Sequence, residues 1–151
     1  GPDALKSKGV FTASVQVPGV GPLWVLDTHL QSGRGRRATE ARSRQLAEVT
    51  ALVTAIDGPV VLVGDFNALE SNPGLMMLKS ASGLTDVFQK LHPAETASTT
   101  LHFWSGTRDG TLKVDHILVS PEAEVLSAEI RDKDMPMVSD HFPVTARVVY
   151  P

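Results

Sequence analysis

A chain of 151 residues with 42% hydrophobic content has the material for one domain with a real core, and none of its apolar runs approaches membrane-spanning length. The formal net charge of -3 excludes a protein that coats nucleic acid through a broad basic surface. With no cysteine, disulfides and thiolate metal sites are excluded, and any metal must be held by oxygen and imidazole. The compartment is left open between secreted and cytoplasmic.

Residues 1–7 read as a tag remnant or linker. Phe11, Ala13, Val15 and Val17 then alternate with Thr12, Ser14 and Gln16, the period-two pattern of a half-buried strand. "PGVGP" turns the chain into "LWVLDTHL", a second strand that delivers Asp27, Thr28 and His29 at its far end, so the two segments predict a hairpin. The following "SGRGRRATEARSR" gathers Arg34, Arg36, Arg37, Arg42 and Arg44. This cluster reads as a solvated loop and helix face, or as a local attractor for phosphate.

From about Ala38 to Ile56 the apolar residues Leu46, Val49, Leu52, Val53 and Ile56 recur at helical spacing, and Gly58-Pro59 stops the helix. "VVLV" is a continuous apolar run rich in β-branched residues, predicting a strand covered on both faces and ending on Asp65 and Asn67. Such polar residues at a strand end fit either an Asx turn or a ligand site. Ser71 or Asn72 is placed to cap a short helix from Pro73 that Gly83 ends. "TASTTLHFWSGTRDG" predicts a long surface loop over a few aromatic anchors. "VDHILVS", expected to pair with "AEVLSAEI", and a last strand in "HFPVTARVVY" complete an α/β domain.

Four segments therefore place a carboxylate, amide or imidazole at a strand boundary: His29; Asp65 and Asn67; Asp115 and His116; Asp140 and His141. Together they supply a hard-metal ligand set and a histidine that an aspartate can orient. A zinc site of the metallo-β-lactamase type is excluded, because Gln31 stands where that motif needs its next histidine.

In this order and at these separations, "DTHL", "GDFNA", "VDHILVS" and "SDHFPV" resemble the motifs of the endonuclease/exonuclease/phosphatase (DNase I-like) superfamily, and "TTLHFWSG" is similar to the loop before its third motif. The resemblance implies an α+β fold, a two-sheet β-sandwich flanked by helices. It also implies hydrolysis of a phosphoester, by a phosphodiesterase, nuclease or phosphatase, with Mg2+ or in its place Mn2+. As catalytic residues it implies His29, Asp65, Asn67, Asp115 and His141, with Asp115 orienting His141 and His116 structural. As metal contacts it implies Asp65, Asn67, Asp140 and His141, and Arg34, Arg36 and Arg37 suit the substrate phosphate. The family's early asparagine and glutamate have no counterpart here. Residues 8–150 are therefore expected to be the C-terminal half of such a domain, one sheet with its helices, needing a missing N-terminal half or self-association. The alternatives are a non-catalytic phosphate-binding or assembly module, or an inactive fragment.

Overall fold

Two strands, β1 (Val10–Val17) and β2 (Gly21–His29), form the expected antiparallel hairpin, closed by the Val20 N–H on the Val17 carbonyl. The computed structural model describes residues 8–95, 98–133 and 136–151. From β2 the chain crosses through α1 (Arg36–Thr54) and returns as β3 (Val60–Asp65), parallel to β2. It continues through α2 (Pro73–Ser82), the two-residue β4 (Thr85–Asp86) and the short α3 (Val87–Leu91) to β5 (Asp115–Val119). The five strands make one sheet in the order β1-β2-β3-β5-β4.

On one face of this sheet α1 and α2 bury Leu46, Val49, Val53, Leu75 and Leu78 against a row of leucines, Leu26, Leu62 and Leu118, which stand opposite one another on the three central strands. None of the three exposes any surface, and each stabilises the fold by about 2 kcal/mol. Asn72 caps α2 by accepting from the Gly74 and Leu75 N–H groups, and Gly83 ends it in the left-handed conformation. Leu52, expected on the buried side of α1, is exposed at the edge of that face.

Against the other face packs a separate antiparallel pair, β6 (Glu124–Ile130) and β7 (Val144–Val149). This corrects two expectations. The 124–130 segment pairs with β7 and not with β5, whose two edges are taken by β3 and β4. The chain also contributes strands to both sheets, where one sheet was expected. An irregularity between Val125 and Ser127 explains why β6 is hard to read: it shifts the inward set from Val125 to Ala128 and Ile130, breaking the alternation. These residues, with Val144, Ala146 and Val148, enclose Phe88, Val119 and Phe142 in a second core.

The β6–β7 pair lies over β3 and β5, and the same face of β1 is open. Phe11 and Val15, predicted as the buried side of their strand, are 70% and 47% exposed. The long loop before β5 is also inverted relative to expectation. Its threonines Thr99 and Thr100 and its His102 are buried, whereas the aromatics Phe103 and Trp104 are exposed. Thr96 and Ala97 of that stretch lie outside the described residues.

Close approach of β2 and β3 requires Gly64. Its φ is +140°, and a Cβ there would lie 1.9 Å from the Thr28 carbonyl oxygen. Gly64→Ala is therefore expected to destabilise the fold by about 3 kcal/mol or more, as backbone strain and a clash with fixed main chain combine. Urea denaturation followed by circular dichroism checks this.

Candidate active site

Because β2 and β3 run parallel, their C-terminal ends emerge at the same edge of the sheet, and antiparallel β5 begins there. Register aligns His29 with Asp65 and Asp65 with Asp115, so the three side chains stand in one row on the face that carries β6 and β7. The fourth member, His141, precedes β7. Its segment is docked on the loop before β5 by an antiparallel bridge to Leu101 and by the Phe142 N–H on the Thr100 carbonyl.

His141 Nδ1 lies 2.7 Å from Asp115 Oδ2, and its Nε2 lies 3.8 Å from Asp65 Oδ2. A carboxylate only accepts, so Nδ1 carries the proton and donates to Asp115. His29 Nε2 approaches Asp65 Oδ2 from the other side at 3.4 Å and is the most exposed of the four. Asn67, in the left-handed region at φ 47°, donates its backbone N–H to Asp65 Oδ1 at 2.8 Å and its side-chain amide to the Leu30 carbonyl at 2.9 Å. The Asx turn and the strand-end constellation are thus one structure. Val63, Ile117, Phe142 and Val144 complete the walls of a groove of about 480 Å³ around the acidic residues.

The charges are not at rest. Burial raises the Asp65 carboxyl above its ordinary value and the neighbouring Asp115 adds to the rise, while the Asn67 N–H and the two histidines pull it down. For His141 the hydrogen bond to Asp115 is the largest influence and raises the imidazole above its ordinary value against the cost of burial; the negative charges of Asp115, Asp65 and Asp140 act in the same direction. Asp65, Asp115 and His141 can bring one ligand atom each within 4.8 Å of one another, the spacing of a shared cation.

The other residues predicted from sequence are placed differently. Asp140 is outside that group: its carbonyl accepts from the His102 N–H, and its carboxylate reaches the site through its field on His141. Arg34, Arg36 and Arg37 are exposed where β2 passes into α1, with Arg36 paired to Glu40 at 2.7 Å. Arg42 instead braces this loop through the Gln31 and Gly33 carbonyls. Thr100, buried behind Asp115, is a support that residue-by-residue reading passes over: its hydroxyl accepts from the Val114 and Asp115 N–H groups. The signal for it was the threonine run before "FW", whose polar residues are the buried ones.

The family model described as "Endonuclease/Exonuclease/phosphatase family" matches residues 3–141. Among curated proteins, none matches the chain significantly. Solved structures with the same fold include an endonuclease/exonuclease/phosphatase from Beutenbergia cavernae, at 22% identity and TM-score 0.75, with 93% of this chain and 39% of that one covered. A Bacteroides thetaiotaomicron mannosyl-6-phosphatase aligns at 20% identity and TM-score 0.72, covering 99% of this chain and 60% of that one. Danio rerio TDP2, complexed with a single-strand DNA product, aligns at 18% identity and TM-score 0.76, covering 98% and 64%. The chain thus spans less than two thirds of the length of each of these structures.

The Asp115–His141 pair has a pH signature. In metal-free buffer the His141 ring is expected to titrate above 6.5, and Asp115→Asn is expected to lower that value, both followed by histidine NMR. Since the folded value is the raised one, the pair contributes its full stability below the ordinary histidine value and loses it as pH rises through the raised value. The difference in urea midpoint between wild type and Asp115→Asn should shrink across that window.

Proposed function

Because the chain belongs to the Endonuclease/Exonuclease/phosphatase family, we propose that it acts as a divalent-metal-dependent phosphoester hydrolase in which water attacks phosphorus. The observation that carries this reading is the row His29–Asp65–Asp115 with His141 hydrogen-bonded to its end. A phosphoester is already anionic, so attack on it requires groups that neutralise the transition state.

Asp65, half-buried and held by the Asn67 N–H, is the group to orient or deprotonate the water. His141, kept protonated at Nδ1 by Asp115, presents Nε2 to the phosphate, and His29 faces it across Asp65. The Asn67 side chain gives one N–H to the Leu30 carbonyl, which leaves the amide oxygen as an acceptor for water or a ligand to metal. The Asp65 carboxylate and the Asn67 amide oxygen would hold Mg2+ or Mn2+, with His141 Nε2 turned to the phosphate beside it and Asp140 acting through water. Bound there, the cation would neutralise charge on the phosphate oxygens. Arg34, Arg36 and Arg37 would draw the substrate's phosphates toward the His29 end of the row. Phe103 and Trp104, exposed beside the segment that carries His141, favour a substrate with a flat apolar portion next to the phosphate.

The open face of β1 supports a second element of this reading. Residues 8–150 form the C-terminal half of the domain, and the rest of the protein, or failing that a second copy, covers Phe11 and Val15.

Asp65→Asn and His141→Ala are each expected to lower turnover at least about a hundredfold in active preparations, with the circular dichroism spectrum unchanged. Chelation should abolish activity, Mg2+ or Mn2+ should restore it, and Zn2+ should not; steady-state diesterase assays check all three. The isolated chain is expected to self-associate and to become a compact particle when its complement is added. Light scattering before and after mixing measures this.

A further inference from the structure

Asp115 and His116 are consecutive on β5, so the pleat sends them to opposite faces of the sheet. Asp115 serves His141. His116 turns into the helix-side layer, where it is 1% exposed. Its Nε2 lies 2.8 Å from the Ala68 carbonyl oxygen, which can only accept, so Nε2 carries the proton and donates. Its Nδ1 lies 3.0 Å from both Asp86 Oδ2 and Lys113 Nζ. Lys113, itself buried, also meets Asp86 and Glu70 at 3.3 Å each and sits over the Phe88 ring. Glu70, Asp86 and His116 are spaced as a cation site. The Lys113 ammonium already supplies the positive charge there.

This buried network touches none of the groups assigned to the chemistry, yet it grips the turn that carries two of them. Asn67 holds a backbone conformation uncommon for a residue with a Cβ, and such a conformation persists only where its surroundings enforce it. The turn is held from three sides: by Leu30 at the end of β2, by the Val114 carbonyl on the Phe66 N–H, and by His116 on Ala68. The His116 ring also packs edge-on against Phe66 at 5.5 Å.

We propose that His116, oriented by Asp86 and Lys113, is a positioning residue that fixes the Asp65–Ala68 turn from the far face of the sheet and so aims the Asp65 carboxylate and the Asn67 side chain into the site. Its catalytic consequence rests on the phosphoesterase reading; its structural consequence does not.

The test uses the full chain, with His116→Phe, which fills the space without donating, His116→Gln, which restores a donor near the Nε2 position, and Asp86→Asn, which weakens the orientation. Amide hydrogen exchange reads the turn independently of activity. His116→Phe is expected to lower protection of the Asn67 amide about tenfold while Leu62 and Leu118 in the sheet centre keep theirs. Asp86→Asn should give a smaller loss, and His116→Gln should recover most of it. Where activity is present, kcat should fall about tenfold with KM unchanged and recover in His116→Gln. Loss of Asn67 protection in a chain that shows no phosphoesterase activity even after its complement is added would uphold the positioning role while removing the enzymatic reading. Unchanged Asn67 protection in folded His116→Phe would overturn the proposal. Uniform loss of protection across the sheet in all three variants would also overturn it, because the network would then hold the fold and not the turn.

Discussion

The parallel pairing of β2 and β3 is the constraint on which the site depends. It needs a helical crossover, which α1 provides, and a residue without a side chain where the strands close, which is Gly64 against Thr28. Once both strands point the same way, their ends share an edge, and the antiparallel β5 must begin where they finish. Three polar side chains from remote stretches of chain then form one row without any loop having to reach. A row built on strands is held more rigidly than one built on loops.

The two faces of this sheet carry opposite kinds of polar chemistry. On the groove side, two carboxylates and two imidazoles stand close together with part of their hydrogen-bonding capacity unspent, and Asp65 is left in an environment that disfavours its charge. On the helix side, Asp86 is nearly as buried as a residue can be, yet His116 and Lys113 outweigh the effect of burial and hold its carboxyl below the usual carboxylate range. The first arrangement leaves hydrogen-bonding capacity open toward the groove; the second is satisfied within itself. The contrast separates a site from a brace more clearly than residue types do, since both contain the same aspartate and histidine.

Much of this was legible in the sequence because strand ends and turns have short-range signals. The hairpin, α1, β3 and the capped α2 follow from alternation, helical spacing, Gly58-Pro59 and Asn72-Pro73, and His29, Asp65 and Asp115 are visible as polar residues at strand boundaries, although their alignment in one row is not. The partners of β5 and β6 were not legible. Pairing is a tertiary choice, and the irregularity in β6 removed the alternation that would have shown its buried side. The loop before β5 misled for a different reason. Its aromatics, ordinarily the anchors, face solvent, while its threonines are buried with their hydroxyls satisfied: Thr100 accepts from the backbone N–H groups behind Asp115, and Thr99 donates to the Leu101 carbonyl. The network around His116 escaped because Glu70, Asp86 and Lys113 each look like surface charges when read singly.

The adjacency of Asp115 and His116 makes β5 intolerant of a kind of change that point substitutions do not sample. Sliding the strand by a single residue would turn the groove carboxylate into the leucine-lined layer and bring the imidazole out to face Asp65, so both faces would fail together. Length changes in this part of the chain should therefore be tolerated in the exposed stretch around Phe103–Gly110 and not between Lys113 and Val119.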